Sequence, residues 1–162
     1  MEKPNPTPAI SGFYRFYICL PVIAIFFGGI IYILFRPSEH VFFNWIRAAG
    51  FTHLLSVIRH NTFFTGLHLP GWIVFSLPNG LWAFAYAFLI TAIWSGSQSW
   101  LKYFWMASIP LLVLGYEMLQ YKEFIPGTFC MQDITLGTAG LILGIIIGLK
   151  ITKLKRYEKA IQ

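Results

Sequence analysis

Few residues in this chain have the type and spacing for chemistry, and two carboxylates lead them. Of the six acidic residues, Glu2, Glu39, Glu123 and Glu158 fall in tails, loops or at the edges of apolar runs. Glu117 is different. It sits about one turn from the end of an apolar run, in Gly115-Tyr116-Glu117-Met118-Leu119-Gln120, and Gln120 follows at i+3 on the same helical face. A carboxylate inside a membrane span has no water to solvate it, so it turns to the bundle interior, finds a partner and marks a candidate site. Asp133 opens the next apolar run. It either caps that helix, accepting free backbone N–H groups at the positive end of the dipole, or joins Glu117 and Gln120 in one polar cluster. A short loop returns the chain between the two runs, so both carboxylates gather at one end. Arg36, at the same depth, is the candidate counter-charge.

Two such carboxylates can hold a polar group, or act as acid and base if burial sets their proton affinities apart. No nucleophile motif or phosphate loop accompanies them, and no residue is assigned a catalytic role. His40, His53, His60 and His68 are spread over one stretch and read as solvated or interfacial. No Cys/His group has metal-ligand spacing, and neither a metal nor a cofactor is expected. Cys19 lies in an apolar run and Cys130 in a loop, toward opposite sides of the membrane, so no disulfide is expected.

The elements that must carry these residues follow from composition. The chain has 162 residues, enough for one domain; 57% are hydrophobic and only 11% charged, too few to cover a soluble surface. Disorder and a disulfide-stapled mini-domain are excluded on the same grounds. The expected fold is all-α: a polytopic membrane helix bundle of about four transmembrane helices plus an amphipathic interfacial helix.

Residues 1–12, with three prolines, form a flexible tail. Residues 13–35 form the first span, too long for a cleavable signal; Gly28-Gly29 in it admits a close neighbour. Residues 38–60 carry Arg47 and Arg59 within an aromatic stretch. They form an interfacial helix capped by Ser38, with Phe42, Trp45, Ile46, Leu54 and Ile58 toward the membrane and both arginines snorkelling to phosphates, or else a re-entrant or spanning segment. Breaks at Leu69-Pro70-Gly71 and Leu77-Pro78-Asn79-Gly80 isolate a short apolar piece. Spans follow at 81–94 (or from Pro78, which suits a first helical turn), 101–121 and 133–151, with a basic cytoplasmic tail at 152–162. Gly140, Gly144 and Gly148 recur every four residues, a face for helix packing against the first or third span or for homodimerisation.

With four spans, Lys3, Arg15, Lys102, Lys150, Lys153, Lys155, Arg156 and Lys159 share one side; Arg36, Arg47, Arg59 and Lys122 share the other. Eight against four places both termini in the cytoplasm and the 122–132 loop outside. The net charge of +6 is thus a topology signal, with no nucleic-acid partner implied.

The stretch from Glu117 reads E-M-L-Q, then F-I-P-G-T-F, then D-I-T-L-G-T-A-G. It resembles the C-terminal signature of the VanZ-like membrane proteins, in which E-x-x-Q ends a helix and D-x-x-x-N-x-x-G opens the next. Glu117, Gln120, Asp133 and Gly140 agree with it, and Leu77-Pro78-Asn79-Gly80-Leu81-Trp82 fits a relative of that group. Gly137 stands where the family usually has Asn, and Gly127-Thr128 takes the place of its loop Arg. The resemblance covers about the second half of the chain. It implies a small multi-pass protein of the bacterial cytoplasmic (inner) membrane, with no assigned activity.

Three readings follow. The first is a non-enzymatic VanZ-like protein whose outer-leaflet cluster binds a lipid headgroup or envelope precursor, or holds the bundle together. The second is a structural or assembly subunit of a larger membrane complex, through a membrane protein partner or a homodimer. The third is an intramembrane enzyme acting on a lipid-linked substrate. Ion or proton transport finds little support in one buried carboxylate.

Overall fold

In lipid, a backbone must satisfy its own hydrogen bonds, and apolar runs of this length do so as helices. The computed structural model describes residues 8–37, 41–60, 66–67, 69–125 and 129–161, so the Ser38 cap, His40 and His68 lie outside the described residues. Among the described residues all regular structure is helical: α1 (Pro8–Phe35), α2 (Val41–Ala48), α3 (Thr52–Arg59), α4 (Gly71–Phe75), α5 (Leu77–Trp94), α6 (Leu101–Tyr121) and α7 (Met131–Ile161). Two stretches, Gly71–Trp94 and Met131–Leu154, are long and apolar enough to cross a membrane at 24 residues each. That length rises about 36 Å, against a hydrocarbon core of about 30 Å. Cys19–Phe35 is a shorter apolar helix, and α6, at 21 residues, carries Lys102 and Glu117.

Several boundaries differ from expectation. Helix α1 starts at Pro8, inside the expected tail, and α7 runs on through the basic segment to Ile161. The expected break at Pro78 is only a kink. Helices α4 and α5 are separated by Ser76 alone, whose N–H donates to the Trp72 carbonyl while its own carbonyl accepts from the Gly80 N–H. Pro78 falls in the first turn of α5, where a missing N–H costs nothing. The second apolar helix therefore extends back to Gly71.

The expected interfacial helix is two short ones. The Gly50 N–H bonds the Arg47 carbonyl and the Phe51 N–H bonds the Ile46 carbonyl, a closing pattern that needs a left-handed residue; Gly50 supplies it at φ 81°. Phe43, which lies outside the set expected to face the membrane, is the anchor buried against the protein, stacked on Tyr32 with centroids 5.9 Å apart. Trp45 and Leu54 are exposed. Arg59 does not reach outward. Its Nε donates to the Ile33 carbonyl at 2.7 Å and its Nη2 to the Arg36 carbonyl at 2.5 Å, so it caps the last turn of α1 and ties α3 to it.

The packing of the glycine face is a correction. Gly140, Gly144 and Gly148 meet α5, not the first or third span. A Cβ at Gly140 would strike the Gly80 carbonyl; one at Gly144 would lie 2.5 Å from the Phe84 carbonyl; one at Gly148 would lie 2.8 Å from Thr91 Cβ. The near-constant sequence offset of these contacts makes α5 and α7 parallel. Helix α6 returns antiparallel and packs against both, with Ala87, Ile109 and Leu141 forming the shared core. On the other side of α5, Gly28 of α1 admits the Trp82 indole, whereas a Cβ at Gly29 would meet nothing within 4 Å.

Candidate functional site

Alternating helix directions bring the end of α1, the α4–α5 kink, the end of α6 and the start of α7 to one end of the bundle. They enclose a cavity of about 990 Å³. Glu117, Gln120, Asp133 and Arg36 all line it.

The register of α6 against α7 sets the carboxylates. A Cβ at Gly137 would lie 3.2 Å from Val113 Cγ1, so these helices touch there. One turn farther on, Glu117 of α6 comes opposite Asp133 of α7. Glu117 is 6% exposed. The backbone N–H of Cys130 and the side chain of Asp133 both lie near enough to its carboxylate to act on it. Asp133 is not the cap of α7. Its own N–H already donates to the Cys130 carbonyl at 3.0 Å, which puts it in the first helical turn with its side chain toward the cavity. Helix α6 stops just beyond Gln120 because Glu123 adopts φ 59°, allowing the Phe124 N–H to reach the Leu119 carbonyl.

Arg36 enters from the end of α1, where the helix dipole favours a cation. Its Nη2 donates to the Phe75 carbonyl at 2.5 Å. The guanidinium carbon lies 4.8 Å from the Tyr32 ring centre and 5.6 Å from that of Phe75. Arg36 thus shares the cavity with both carboxylates while being held by α4.

Sequence reasoning missed Ser76 and Asn79. Ser76 is 1% exposed and faces the cavity from the kink, with Asn79 one turn on. The available signal was a serine directly before Leu77-Pro78: a proline kink turns neighbouring polar groups inward, but only a continuous helix through Pro78 puts them at the depth of Glu117. Trp72 and Trp82 add aromatic walls.

Polar satisfaction separates this cavity from ordinary packing. Among the described residues, five buried side-chain polar atoms have no hydrogen-bond partner in the protein. Thr91 Oγ1 lies in the α5–α7 contact. The other four, Arg36 Nε, Ser76 Oγ, Glu117 Oε2 and Asp133 Oδ1, belong to residues lining this cavity. Buried polar atoms are normally paired, because an unpaired one costs about 1–3 kcal/mol. A second groove of about 320 Å³ adjoins it, formed by Trp72, Gln132, Met131, Thr135 and Leu136; Trp72 and Gln132 line both. Among the described residues, no group of three or more His, Cys, Asp or Glu is set to hold a metal ion.

At the opposite end, Ser95 Oγ donates to Thr152 Oγ1 at 2.9 Å, and Arg156 Nη2 comes near Gly96. The ends of α5 and α7 therefore meet there, with Lys150, Lys153 and Arg156 on the turns of α7 around that contact.

Comparison of the chain with protein-family models, curated proteins and solved structures returned no match.

Proposed function

We propose that this chain is a non-enzymatic integral membrane protein of VanZ-like type, and that its cavity binds the polar head of a membrane lipid or envelope precursor. The observation that carries this reading is that four residues lining one cavity, Arg36, Ser76, Glu117 and Asp133, each hold a buried polar atom without a partner. Such atoms lower the stability of an isolated protein and are recovered when a ligand supplies their partners.

The membrane part of the proposal rests on the composition, on two helices long and apolar enough to cross, and on the large exposed side chains of the others. Val22 and Phe26 of α1 and Leu111 of α6 are each more than half exposed. Apolar side chains of that size are stable at a surface in contact with acyl chains. On this reading α1, α4–α5, α6 and α7 are four spans and α2–α3 lie in the interface. Lysines and arginines at the end opposite the cavity favour cytoplasmic termini, and the cavity then opens to the outer leaflet of a bacterial cytoplasmic membrane.

The alternative is a subunit of a larger membrane complex. Its strongest sequence argument was the glycine face, and that face is occupied by α5. Contacts with a partner would instead use lipid-facing aromatic residues such as Trp100, Tyr103 and Phe104.

Native mass spectrometry of the full chain from mild detergent separates the two. A retained polar-headed lipid or precursor, reduced by Glu117→Gln, is expected. A stoichiometric protein partner with no such adduct would support the subunit reading and overturn this one.

A further inference from the structure

Four residues lining the cavity each carry a buried polar atom without a partner; these atoms are not interchangeable, and their chemistry restricts the ligand. Arg36 Nε carries only a donor and a positive charge. Glu117 Oε2 and Asp133 Oδ1 belong to acceptors that carry negative charge when ionised. Ser76 Oγ can do either. A simple anion suits Arg36 and is repelled by the carboxylates. A simple cation suits the carboxylates and leaves the Arg36 donor unmet. A head bearing both signs, with several N–H donors on its cationic end, meets all of them.

The groove beside the cavity adds the second half of the ligand. Trp72 and Gln132 line both spaces, so the polar cavity lies beside a surface formed by Met131, Thr135 and Leu136. A ligand with its head between Arg36 and the carboxylates would lay a chain along that surface. The groove is too apolar to favour a soluble phosphate compound over an amphiphile.

We propose that the cavity selects a zwitterionic phospholipid with a primary-amine head: the phosphate accepts from Arg36, the ammonium donates to Glu117 and Asp133, and an acyl chain lies in the Trp72–Leu136 groove. The inference rests on the headgroup-binding reading above and names its chemical class. A quaternary ammonium head has the same charge but no N–H to donate, so it leaves both carboxylate oxygens unpaired. The site therefore discriminates by hydrogen bonding rather than by charge, and charge-assisted bonds of this kind are worth about tenfold in affinity or more.

The test uses the full chain in nanodiscs of a neutral host lipid doped with phosphatidylethanolamine, phosphatidylcholine or phosphatidylglycerol, read by native mass spectrometry and by thermal unfolding. Phosphatidylethanolamine should be enriched over phosphatidylcholine by about tenfold. Glu117→Gln and, separately, Asp133→Asn should erase that preference while the unfolding transition remains cooperative. Soluble glycerophosphoethanolamine should compete weakly, because it lacks the chain. Equal enrichment of the ethanolamine and choline lipids, or a preference for phosphatidylglycerol, overturns the amine assignment while headgroup binding stands. Competition by the soluble head as strong as by the lipid removes the groove from the proposal. Absence of any retained lipid brings down the headgroup-binding reading itself.

Discussion

Glu117 and Asp133 face one cavity because Val113 and Gly137, one turn deeper on the same two antiparallel helices, are in contact. The missing side chain at Gly137 lets α6 approach, and the approach carries the carboxylates together. The cluster is thus a consequence of helix packing as much as of the loop that joins the helices. Glu117→Leu keeps the bulk but removes a buried polar side chain beside the Cys130 N–H and Asp133, and a buried polar group left unpaired costs about 1–3 kcal/mol. Glu117→Gln keeps an acceptor for that N–H. Folded yield in detergent should fall with Leu and hold with Gln. Equal yields would mean that the carboxylate is solvated and that no buried cluster exists.

Two glycines in the long helices should respond to alanine in opposite directions. A Cβ at Gly144 would lie 2.5 Å from the Phe84 carbonyl, a backbone atom that cannot move alone. A Cβ at Gly115 would meet nothing within 4 Å. Gly144→Ala should lower the thermal midpoint, with overpacking of about 1–3 kcal/mol outweighing helix propensity. Gly115→Ala should leave it unchanged or raise it, since alanine is favoured over glycine by up to about 1 kcal/mol in a helix. A stable Gly144→Ala protein would contradict the close α5–α7 contact.

Arg59 joins α3 to the last turn of α1 through the Ile33 and Arg36 carbonyls. Its guanidinium also lies 4.5 Å from the Phe43 ring centre. Lysine offers one point of donation where arginine offers a planar fork. Both Arg59→Lys and Arg59→Met should release α3. Amide exchange in Thr52–Arg59 should accelerate, more for Met than Lys, while exchange in α5 and α7 stays slow. Unchanged protection of α3 would show that Phe43 alone holds α2 and α3 in place.

With both termini cytoplasmic as proposed, Cys130 lies on the outer side, half-buried at the cavity wall. In cells carrying the Cys19→Ala variant, a membrane-impermeant thiol reagent should label Cys130 before lysis. Labelling only after permeabilisation, together with a cytoplasmic signal from a reporter fused in the 122–132 loop, would reverse the topology.

What the sequence by itself determined is the local part. Apolar runs required helices, because only a helix satisfies a backbone locally without water. The i, i+3 spacing of Glu117 and Gln120 put both on one helical face, and the short return to Asp133 kept the carboxylates at one end. The glycine spacing required a close neighbour. The identity of that neighbour, α5, was decided by tertiary structure, since Gly80 and Gly140 lie far apart in the chain and only the fit of whole helix surfaces selects the pair. The same holds for Arg59, whose partners are carbonyls exposed by the end of another helix, and for Asp133, which sits inside the first turn because the helix starts at Met131. Ser76 was illegible for a related reason. Proline signals a break, and only packing of α4 and α5 against α1 makes it a kink that turns a hydroxyl into the cavity, where its chemistry joins that of residues from three other helices.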